Sequence, residues 1–358
     1  MSVQLKPGIF AVLGLAVTVS LTGCSKSSET AGGGDKTSSG GEQTEVNEEL
    51  QGKIEIDGSS TVYPISEAAA SQLLKKYPNV DISVGSSGSG AGFKRFVAGE
   101  TDISDASRPM KASEFEDAKK NGIAFVEVPI AYDGLTIVVH KENSFVDQLT
   151  VEELKKIFTV AGNAKNWSDV REGWPQEEIQ IFAPGTDSGT FDYFKEVVAD
   201  EGEIRNDMST SEDDNVLVTG VSGSPNAIGF FGVAYYEENK DKLRAVPVVN
   251  PESGAAVLPD ADKIESGEYA PFSRPLFIYV KADSLRSPEV KRFVDYYLEN
   301  AADLAQSTGY VALPTSVYEL AKNNVKARNT GTHYVTEDGE KRQGSVVDVY
   351  SDANRLTF

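Results

Sequence analysis

Residues 181–200 read IFAPGTDSGTFDYFKEVVAD and combine the sequence signals of a strand, a turn and a helix. Ile181 and Ala183 lie two positions apart, as residues on one face of a strand do, whereas Phe194 and Val198 recur at helical spacing. The glycine-containing segment between them therefore predicts a tight turn that leads from a strand into a helix.

The predicted turn has the chemistry of an oxyanion site. The first turn of a helix leaves its N–H groups unpaired and places the positive end of the helix dipole behind them. Ser188 and Thr190 add two hydroxyl groups at the same place. The sequence thus predicts that this turn contributes donors to a bound anion.

Residues 1–23 have the features of a secretory signal peptide. Lys6 precedes an apolar run over residues 9–21, which is short for a membrane-spanning helix and ends at the tetrapeptide LTGC. This tetrapeptide resembles the bacterial lipobox, so Cys24 is the predicted site of lipidation. Cys24 is the only cysteine, which excludes a disulfide within the chain and a cysteine-based metal centre.

Residues 24–50 form a predicted flexible tether that carries the lipidated cysteine, because they are rich in Ser, Gly, Thr and Glu. The total of 358 residues then allows two domains of ordinary size. The formal net charge of −21 argues against nucleic acid as a partner, because phosphate backbones are bound through Lys and Arg. It does not exclude an anionic ligand, since N–H and O–H dipoles can bind an anion locally.

Predicted strands alternate with predicted helices from residue 53 onward, which indicates an α/β fold with mainly parallel sheets. Two strongly apolar, β-rich segments, residues 123–132 and 135–140, are interrupted at Asp133 and Gly134. We place the first crossover between domains at this interruption.

The pattern of strand, Ser/Thr/Gly-rich turn and helix occurs three times. Ser and Thr are common N-caps, so a single turn of this kind indicates ordinary helix capping. Ligands of open α/β sheets bind beyond the carboxyl ends of the strands, where several such turns can meet. The three turns span residues 59–61, 86–92 and 186–190, and a fourth segment contains Ser107 and Arg108.

Four motifs in this order resemble the ligand loops of phosphate-binding proteins, the extracytoplasmic receptors of the phosphate-specific (Pst) ABC transporter. They are GSSTVYP, GSSGSGAGFKRF, TDISDASRPM and GTDSGTFDYF. The similarity covers residues 52–358 and is strongest to the cyanobacterial-type lipoprotein branch of this PstS-like family.

The resemblance implies a two-domain periplasmic-binding-protein fold of the class II type, with two mainly parallel sheets flanked by helices and a ligand cleft at the hinge. Domain I would comprise residues 51–133 and 273–358, and domain II residues 134–272. The resemblance further implies a monomeric receptor, periplasmic or held at the cell surface through Cys24. Such a receptor captures inorganic phosphate and delivers it to a membrane permease, is not an enzyme and needs no cofactor.

The resemblance also assigns the phosphate-binding residues by position. Ser89 matches the ligand serine of the second loop, with Ser87 as the alternative. The implied set is Ser60, Thr61, the Val62 N–H, Ser87, Ser89, Ser107, Arg108, Asp187, Ser188, Gly189 and Thr190.

The chain departs from the family pattern at two positions. Many members have an aspartate at the position of Ser107 and an arginine at the position of Pro184. We infer that Arg108 supplies the guanidinium group instead, because its planar fork can make a bidentate contact with phosphate. Asp105 or Asp187 would then accept the proton of a protonated phosphate.

Three other functions stay open or are disfavoured. Another tetrahedral oxyanion, such as sulfate, would suit the same donors. Residues 187–190 match the signature of aspartic proteases, but that chemistry needs two carboxylates and the sequence has no second copy of the signature. A secreted serine hydrolase is disfavoured because neither His140 nor His333 has the context of a catalytic triad, and no spacing of ligand residues predicts a metal site.

Overall fold

The computed structural model describes residues 49–186, 188–200, 202–342 and 344–358. The predicted signal peptide, Cys24 and residues 25–48 of the predicted tether lie outside the described residues, and so does Asp187. Among the described residues, no helix combines the length and the apolar composition that crossing a bilayer requires.

Strands and helices alternate along the described part of the chain, as the sequence predicts. The strands are β1 (Gly52–Gly58), β2 (Val80–Val84), β3 (Ile103–Ala106), β4 (Phe125–His140), β5 (Gln180–Pro184), β6 (Ser209–Ser211), β7 (Ala227–Gly232), β8 (Leu243–Ala245), β9 (Val248–Val249), β10 (Ala256–Val257) and β11 (Ser273–Lys281). The helices are α1 (Tyr63–Leu74), α2 (Ser89–Val97), α3 (Ala112–Lys120), α4 (Val151–Phe158), α5 (Trp167–Val170), α6 (Gly189–Val198), α7 (Asp214–Ser222), α8 (Val233–Glu238), α9 (Ala261–Glu265), α10 (Pro288–Glu299), α11 (Ala301–Ser307), α12 (Thr315–Ala327) and α13 (Val346–Ser351), with a 3-10 helix at Ser284–Arg286.

Nine strands of the described residues build one continuous sheet in the order β2-β1-β3-β11-β4-β7-β5-β6, with β8 also paired to β4. The two ends of the sheet are parallel: β1 lies between β2 and β3, and β5 lies between β6 and β7. The centre is antiparallel: β11 forms antiparallel pairs with β3 and with β4, and β4 forms an antiparallel pair with β7.

The mixed pairing follows from the connections between strands. Helix α1 links β1 to its parallel neighbour β2, and α6 links β5 to its parallel neighbour β6, as a crossover connection does. Helix α2 leads from β2 to β3, which runs parallel to it on the far side of β1. Strand β11 instead enters the sheet after a long excursion and runs in the opposite direction to its neighbours. The predicted α/β fold is confirmed. The two separate, mainly parallel sheets that the resemblance implied are instead one continuous sheet, parallel at its two ends and antiparallel at its centre.

Strand β4 joins the two ends of the sheet. Its 16 residues are buried along almost the whole strand, which explains the long apolar run in the sequence. The predicted interruption at Asp133 and Gly134 is wrong, since both residues lie inside the strand. The strand changes its partner there instead: residues 125–134 pair with β11, and residues 135–139 pair with β7.

Helices cover the sheet and fix the turns at the strand ends. Helix α2 packs against β1 and β3, α12 packs against β4, and α7 packs against β5 and β7. Phe93 and Phe96 of α2 are fully buried. The second turn, which precedes α2, is therefore anchored to the two strands whose ends carry the first and fourth turn segments.

Candidate functional site

The ends of β1 and β3 are held together by a backbone contact. The Ser59 N–H donates to the Asp105 carbonyl oxygen at 2.9 Å. Gly58 has a φ of +149°, and a Cβ atom at this position would lie only 2.1 Å from the same carbonyl oxygen. The close approach therefore requires glycine, and it places the first turn beside the segment that follows β3.

A cavity of about 230 Å³ opens where these turns meet. Its wall is formed by the first, second and fourth turn segments, by α6 and by the start of β11. The residues on this wall that the sequence analysis assigned to the site are Ser60, Thr61, Ser89, Ser107 and Arg108.

In the second turn, Ser89 rather than Ser87 lies on the cavity wall. Ser89 Oγ lies 3.2 Å from Ser107 Oγ and accepts the Ser107 N–H at 3.1 Å. Ser87 instead donates its hydroxyl group to Asp57 at 2.9 Å and its N–H to the same carboxylate at 3.1 Å. The structure thus brings Ser89 to the cavity and directs Ser87 to a structural role.

The buried carboxylate of Asp57 organises the second turn. Besides Ser87, it accepts the Gly58 N–H at 2.8 Å and an Arg95 N–H at 2.5 Å. Burial opposes its ionisation, but these donors prevail and hold the pKa of Asp57 below its usual value. Asp57 is therefore an anion that shapes the turn without lining the cavity.

The first turn is capped from within by Ser59, a residue on the cavity wall that the sequence analysis did not assign to the site. Ser59 Oγ accepts the N–H groups of Thr61 at 3.2 Å and of Val62 at 3.4 Å. Val62 itself is fully buried. The Val62 N–H, expected to face a ligand, is thus directed at Ser59 in this structure.

The turn before α6 lies against the first turn. Helix α6 begins at Gly189, inside the predicted turn, and the hydroxyl oxygen of Ser188 accepts the Thr190 N–H at 3.2 Å. Thr61 donates its hydroxyl group to the Gly189 carbonyl oxygen at 3.4 Å, and a Cβ atom at Gly189 would lie 2.7 Å from Thr61 Cα. Glycine is required for this contact. Gly189 touches the first turn in this way, but Ser188, Gly189 and Thr190 are not on the cavity wall.

Arg274, at the start of β11, supplies a guanidinium group that the sequence analysis missed. Its Nη2 donates to Thr61 Oγ1 at 3.0 Å and to the Gly189 carbonyl oxygen at 3.5 Å, so it bridges two turns. Asp133, its register partner on β4, accepts from Nη2 and Nε at 3.1 and 3.2 Å. The guanidinium carbon also lies 3.6 Å from the centre of the Tyr193 ring. These contacts fix Arg274 on the cavity wall.

Arg108 lies on the wall as well, but its charge is already paired. Its two terminal nitrogens donate to the carboxylate of Glu114 at 2.9 and 2.7 Å, and its guanidinium carbon lies 5.1 Å from the centre of the Phe93 ring. Glu114 also accepts the Lys111 N–H at 2.8 Å, at the start of α3. The predicted cationic ligand therefore shares its fork with a carboxylate of the protein.

Asp105 does not line the cavity, contrary to its predicted role as an acceptor carboxylate. It lies on the same face of β3 as Ile103, because side chains alternate along a strand. Ile103 belongs to the main apolar core, and the Asp105 side chain is fully buried. The strand therefore directs this carboxyl group into the protein interior.

Two carboxylates of α6 border the cavity in addition to the donors. Ser60 donates its hydroxyl group to Asp192 Oδ2 at 3.3 Å, and Glu196 Oε2 lies 3.7 Å from Arg274 Nη1. The two acidic residues follow Ser188 at successive intervals of four, which places them on one face of the helix. This spacing is visible in the sequence and could have identified them.

Comparison with known proteins identifies the family. Residues 37–301 match the model of the PBP superfamily domain. Protein SphX of Synechococcus elongatus is 47% identical over 281 residues, which cover 78% of this chain and 83% of the relative. Phosphate-binding protein PstS of Staphylococcus haemolyticus is a further relative, 41% identical over 296 residues, with 82% of this chain and 91% of the relative covered. The chain belongs to the PstS-like family.

A solved structure agrees with this family in its fold. A protein of Planctomyces limnophilus, described as a possible phosphate binding protein, superposes with a TM-score of 0.75 at 44% identity. The match covers 78% of this chain and 99% of that protein. The mixed sheet and its flanking helices are therefore those of a PstS-like periplasmic binding protein.

Proposed function

We propose that the protein is an extracytoplasmic solute-binding protein that captures inorganic phosphate and delivers it to the permease of an ABC transporter. The observation that carries this proposal is the cavity, on which hydroxyl groups from three separate turn segments and the guanidinium group of Arg274 converge. The relative described as a phosphate-binding protein supports the choice of ligand.

The donors on the cavity wall suit a tetrahedral oxyanion. Serine and threonine hydroxyl groups can rotate their protons toward a ligand, and an arginine adds a charged fork of N–H groups. Binding would replace the contact between Arg274 and the Gly189 carbonyl oxygen by a contact with the anion. The proposed ligand contacts come from Ser60, Thr61, Ser89, Ser107, Arg108, Arg274 and the turn formed by Ser188, Gly189 and Thr190.

The carboxylates on the wall favour phosphate over sulfate. A protonated phosphate has an O–H group that can donate to a carboxylate, whereas fully ionised sulfate has none and is repelled. We propose Asp192 as the acceptor, because it borders the cavity and already accepts a hydrogen bond from Ser60. Asp105 cannot be this acceptor, because its side chain is buried in the protein interior and does not line the cavity.

The proposal includes two domains that close on the ligand. Domain I comprises residues 51–133 and 273–358, and domain II comprises residues 134–272. The change of partner along β4, from β11 to β7 after residue 134, supports this division. Phosphate would shift an open–closed equilibrium through its higher affinity for the closed form.

The proposed location follows from the N-terminal sequence. Residues 1–23 would direct export, and lipidated Cys24 would hold a monomeric receptor at the membrane through the flexible tether. Mass spectrometry of the N-terminal peptide, purified from membranes, tests this part of the proposal. An unmodified Cys24 in the exported protein would contradict it.

Calorimetric titration of the full chain, purified in detergent and stripped of ligand by unfolding and refolding, tests the binding function. Phosphate, arsenate and sulfate are titrated side by side. We expect one-to-one binding of phosphate and arsenate with a dissociation constant of about 1 μM or lower, and no heat from sulfate.

The other outcomes of this titration point to the alternative functions. Equal binding of sulfate would make the protein a general receptor for tetrahedral oxyanions and remove the acceptor role of Asp192. No binding of any oxyanion would overturn the proposal in favour of a hydrolase. Against a serine hydrolase, His333 lies 3.2 Å from Glu127 and His140 ends β4, and neither histidine is on the cavity wall.

A further inference from the structure

Asp105 is a fully buried carboxyl group that the proposed binding site does not use. Neither of its side-chain oxygens has a hydrogen-bond partner among the described residues. Buried polar groups are normally paired, because an unpaired one lowers the stability of the fold. A carboxyl group in such a place therefore requires an explanation.

The position of Asp105 connects it to the cavity. Asp105 and Gly58 are register partners on β3 and β1, and the Asp105 carbonyl oxygen accepts the Ser59 N–H at 2.9 Å. Ser59 and Ser107, the latter two residues further along the chain, are both on the cavity wall. The buried carboxyl group thus lies next to the backbone of two segments that surround the proposed anion.

Among the described residues, the groups that face this carboxyl group carry no positive charge. From α1 it meets Ser66, whose hydroxyl group instead pairs with Tyr297 Oη of α10 at 3.3 Å. Strand β1 contributes the carboxylate of Asp57, and β11 places the apolar Ile278 in register. Arg95 of α2 directs its guanidinium group to Asp57.

We infer that Asp105 couples anion binding at the cavity to its own protonation: the neutral acid permits tight binding, and the carboxylate weakens it. The inference rests on the proposed function, since the anion is taken to be phosphate. Two negative charges repel more strongly through a buried region than through water, because the buried region has a lower dielectric constant.

The direction of the pH dependence follows from the environment of Asp105. Burial raises the pKa of Asp105 to about 7; the nearby Ser66 hydroxyl group opposes this shift, and the charge of Asp57 adds to it. A bound anion raises this pKa further, because it disfavours the carboxylate. Affinity is therefore highest below about pH 7 and falls as the pH rises through this range, since binding then requires the uptake of a proton.

The test is the affinity for phosphate at a series of pH values from about 6 to about 9, measured by calorimetry on the full chain in detergent. Asp105→Asn keeps the size of the side chain and removes its titration. Because phosphate itself titrates in this range, the quantity compared is the Kd of the unmodified chain divided by that of the variant at the same pH. We expect this ratio to rise about tenfold across the series.

Asp81→Asn is the matched control, because it makes the same substitution at an exposed carboxylate on β2. Its ratio should not change with pH. A constant ratio for Asp105→Asn would overturn the inference and leave the proposed function intact. A failure of the unmodified chain to bind phosphate at every pH would overturn the proposed function, and the inference with it.

A second measurement does not depend on whether the variant folds. Infrared difference spectra of the unmodified full chain are recorded with and without phosphate just above neutral pH. Binding should increase the C=O stretching band of a protonated carboxylic acid. Unchanged intensity of this band in the phosphate-bound protein would contradict the inference.

Discussion

Arg108 and Arg274 border the same cavity from two regions of the molecule, and they are held in different ways. Arg108 follows β3 and pairs with Glu114, six residues later in the chain. Arg274 is the second residue of β11 and pairs with Asp133, which lies 141 residues earlier. The Arg274 side chain is 12% exposed, and that of Arg108 is 25% exposed.

This difference indicates how each guanidinium group can serve a ligand. Arg274 donates to Thr61 and Gly189, so its place depends on two turns that meet at the cavity. The fork of Arg108 is occupied by a bidentate contact with Glu114, which leaves fewer N–H groups for an anion. We therefore expect Arg274 to contribute more to phosphate affinity than Arg108.

The largest effect is expected for Arg274→Ala. The substitution removes the better-placed cation and leaves the buried carboxyl group of Asp133 without its partner. Phosphate affinity, measured by calorimetry, should fall about a hundredfold, which corresponds to about 2.7 kcal/mol.

Arg274→Lys is the control for charge, since it keeps a cation and loses the planar fork. Its affinity should lie between those of the unmodified chain and Arg274→Ala. The melting temperature of each variant is measured alongside, because a loss of folding would also lower binding. If Arg274→Ala folds well and binds phosphate with unchanged affinity, then Arg274 is not part of the binding site, and the expected difference between the two arginines is contradicted.

A smaller effect is expected for Arg108→Ala. Because Glu114 already shares the guanidinium group, phosphate affinity should fall about tenfold, or about 1.4 kcal/mol. Glu114→Gln is the paired variant: it weakens the competing contact, so phosphate affinity should stay the same or rise. If Arg108→Ala lowers the affinity more than Arg274→Ala does, the order of the two arginines is reversed.

The smallest effect separates two serines of the second turn. Ser89→Ala removes a hydroxyl group from the cavity wall and should weaken phosphate binding about fivefold, or about 1 kcal/mol. Ser87→Ala removes a hydrogen bond to Asp57 away from the wall, so the Kd should change by less than about twofold. Equal losses in the two variants would contradict the assignment of Ser89.

The sequence predicted the turns because their signals are local. Alternation of strands and helices, and Ser-Gly-Thr at the start of α6, are encoded within a few consecutive residues, and a strand does lead into a helix at this turn. The same local signals placed Ser60 and Ser89 on the cavity wall. The local signals were wrong at Asp133 and Gly134. A polar residue and a glycine inside an apolar run predicted a break between two strands, whereas β4 is continuous there.

The wrong and missing predictions have one common cause: each depends on which strands become neighbours in the sheet. Asp133 lies inside β4 because Arg274 of β11 pairs with it in register. The sequence made Asp105 a candidate acceptor because it lies close to Ser107. In the structure, the alternation of side chains along β3 directs Asp105 into the core. No pattern around Arg274 distinguishes it from an ordinary surface arginine.

The α/β fold and the strand-to-helix turns rich in hydroxyl groups can be predicted from short-range spacing, and the resemblance to the PstS-like family from four short motifs. The tertiary structure is needed to show that Arg274 joins the cavity, that Arg108 is shared with Glu114, and that Asp105 lies buried without a hydrogen-bond partner among the described residues. These outcomes depend on contacts between residues far apart in the chain, where strand register and burial select the partner of each charge.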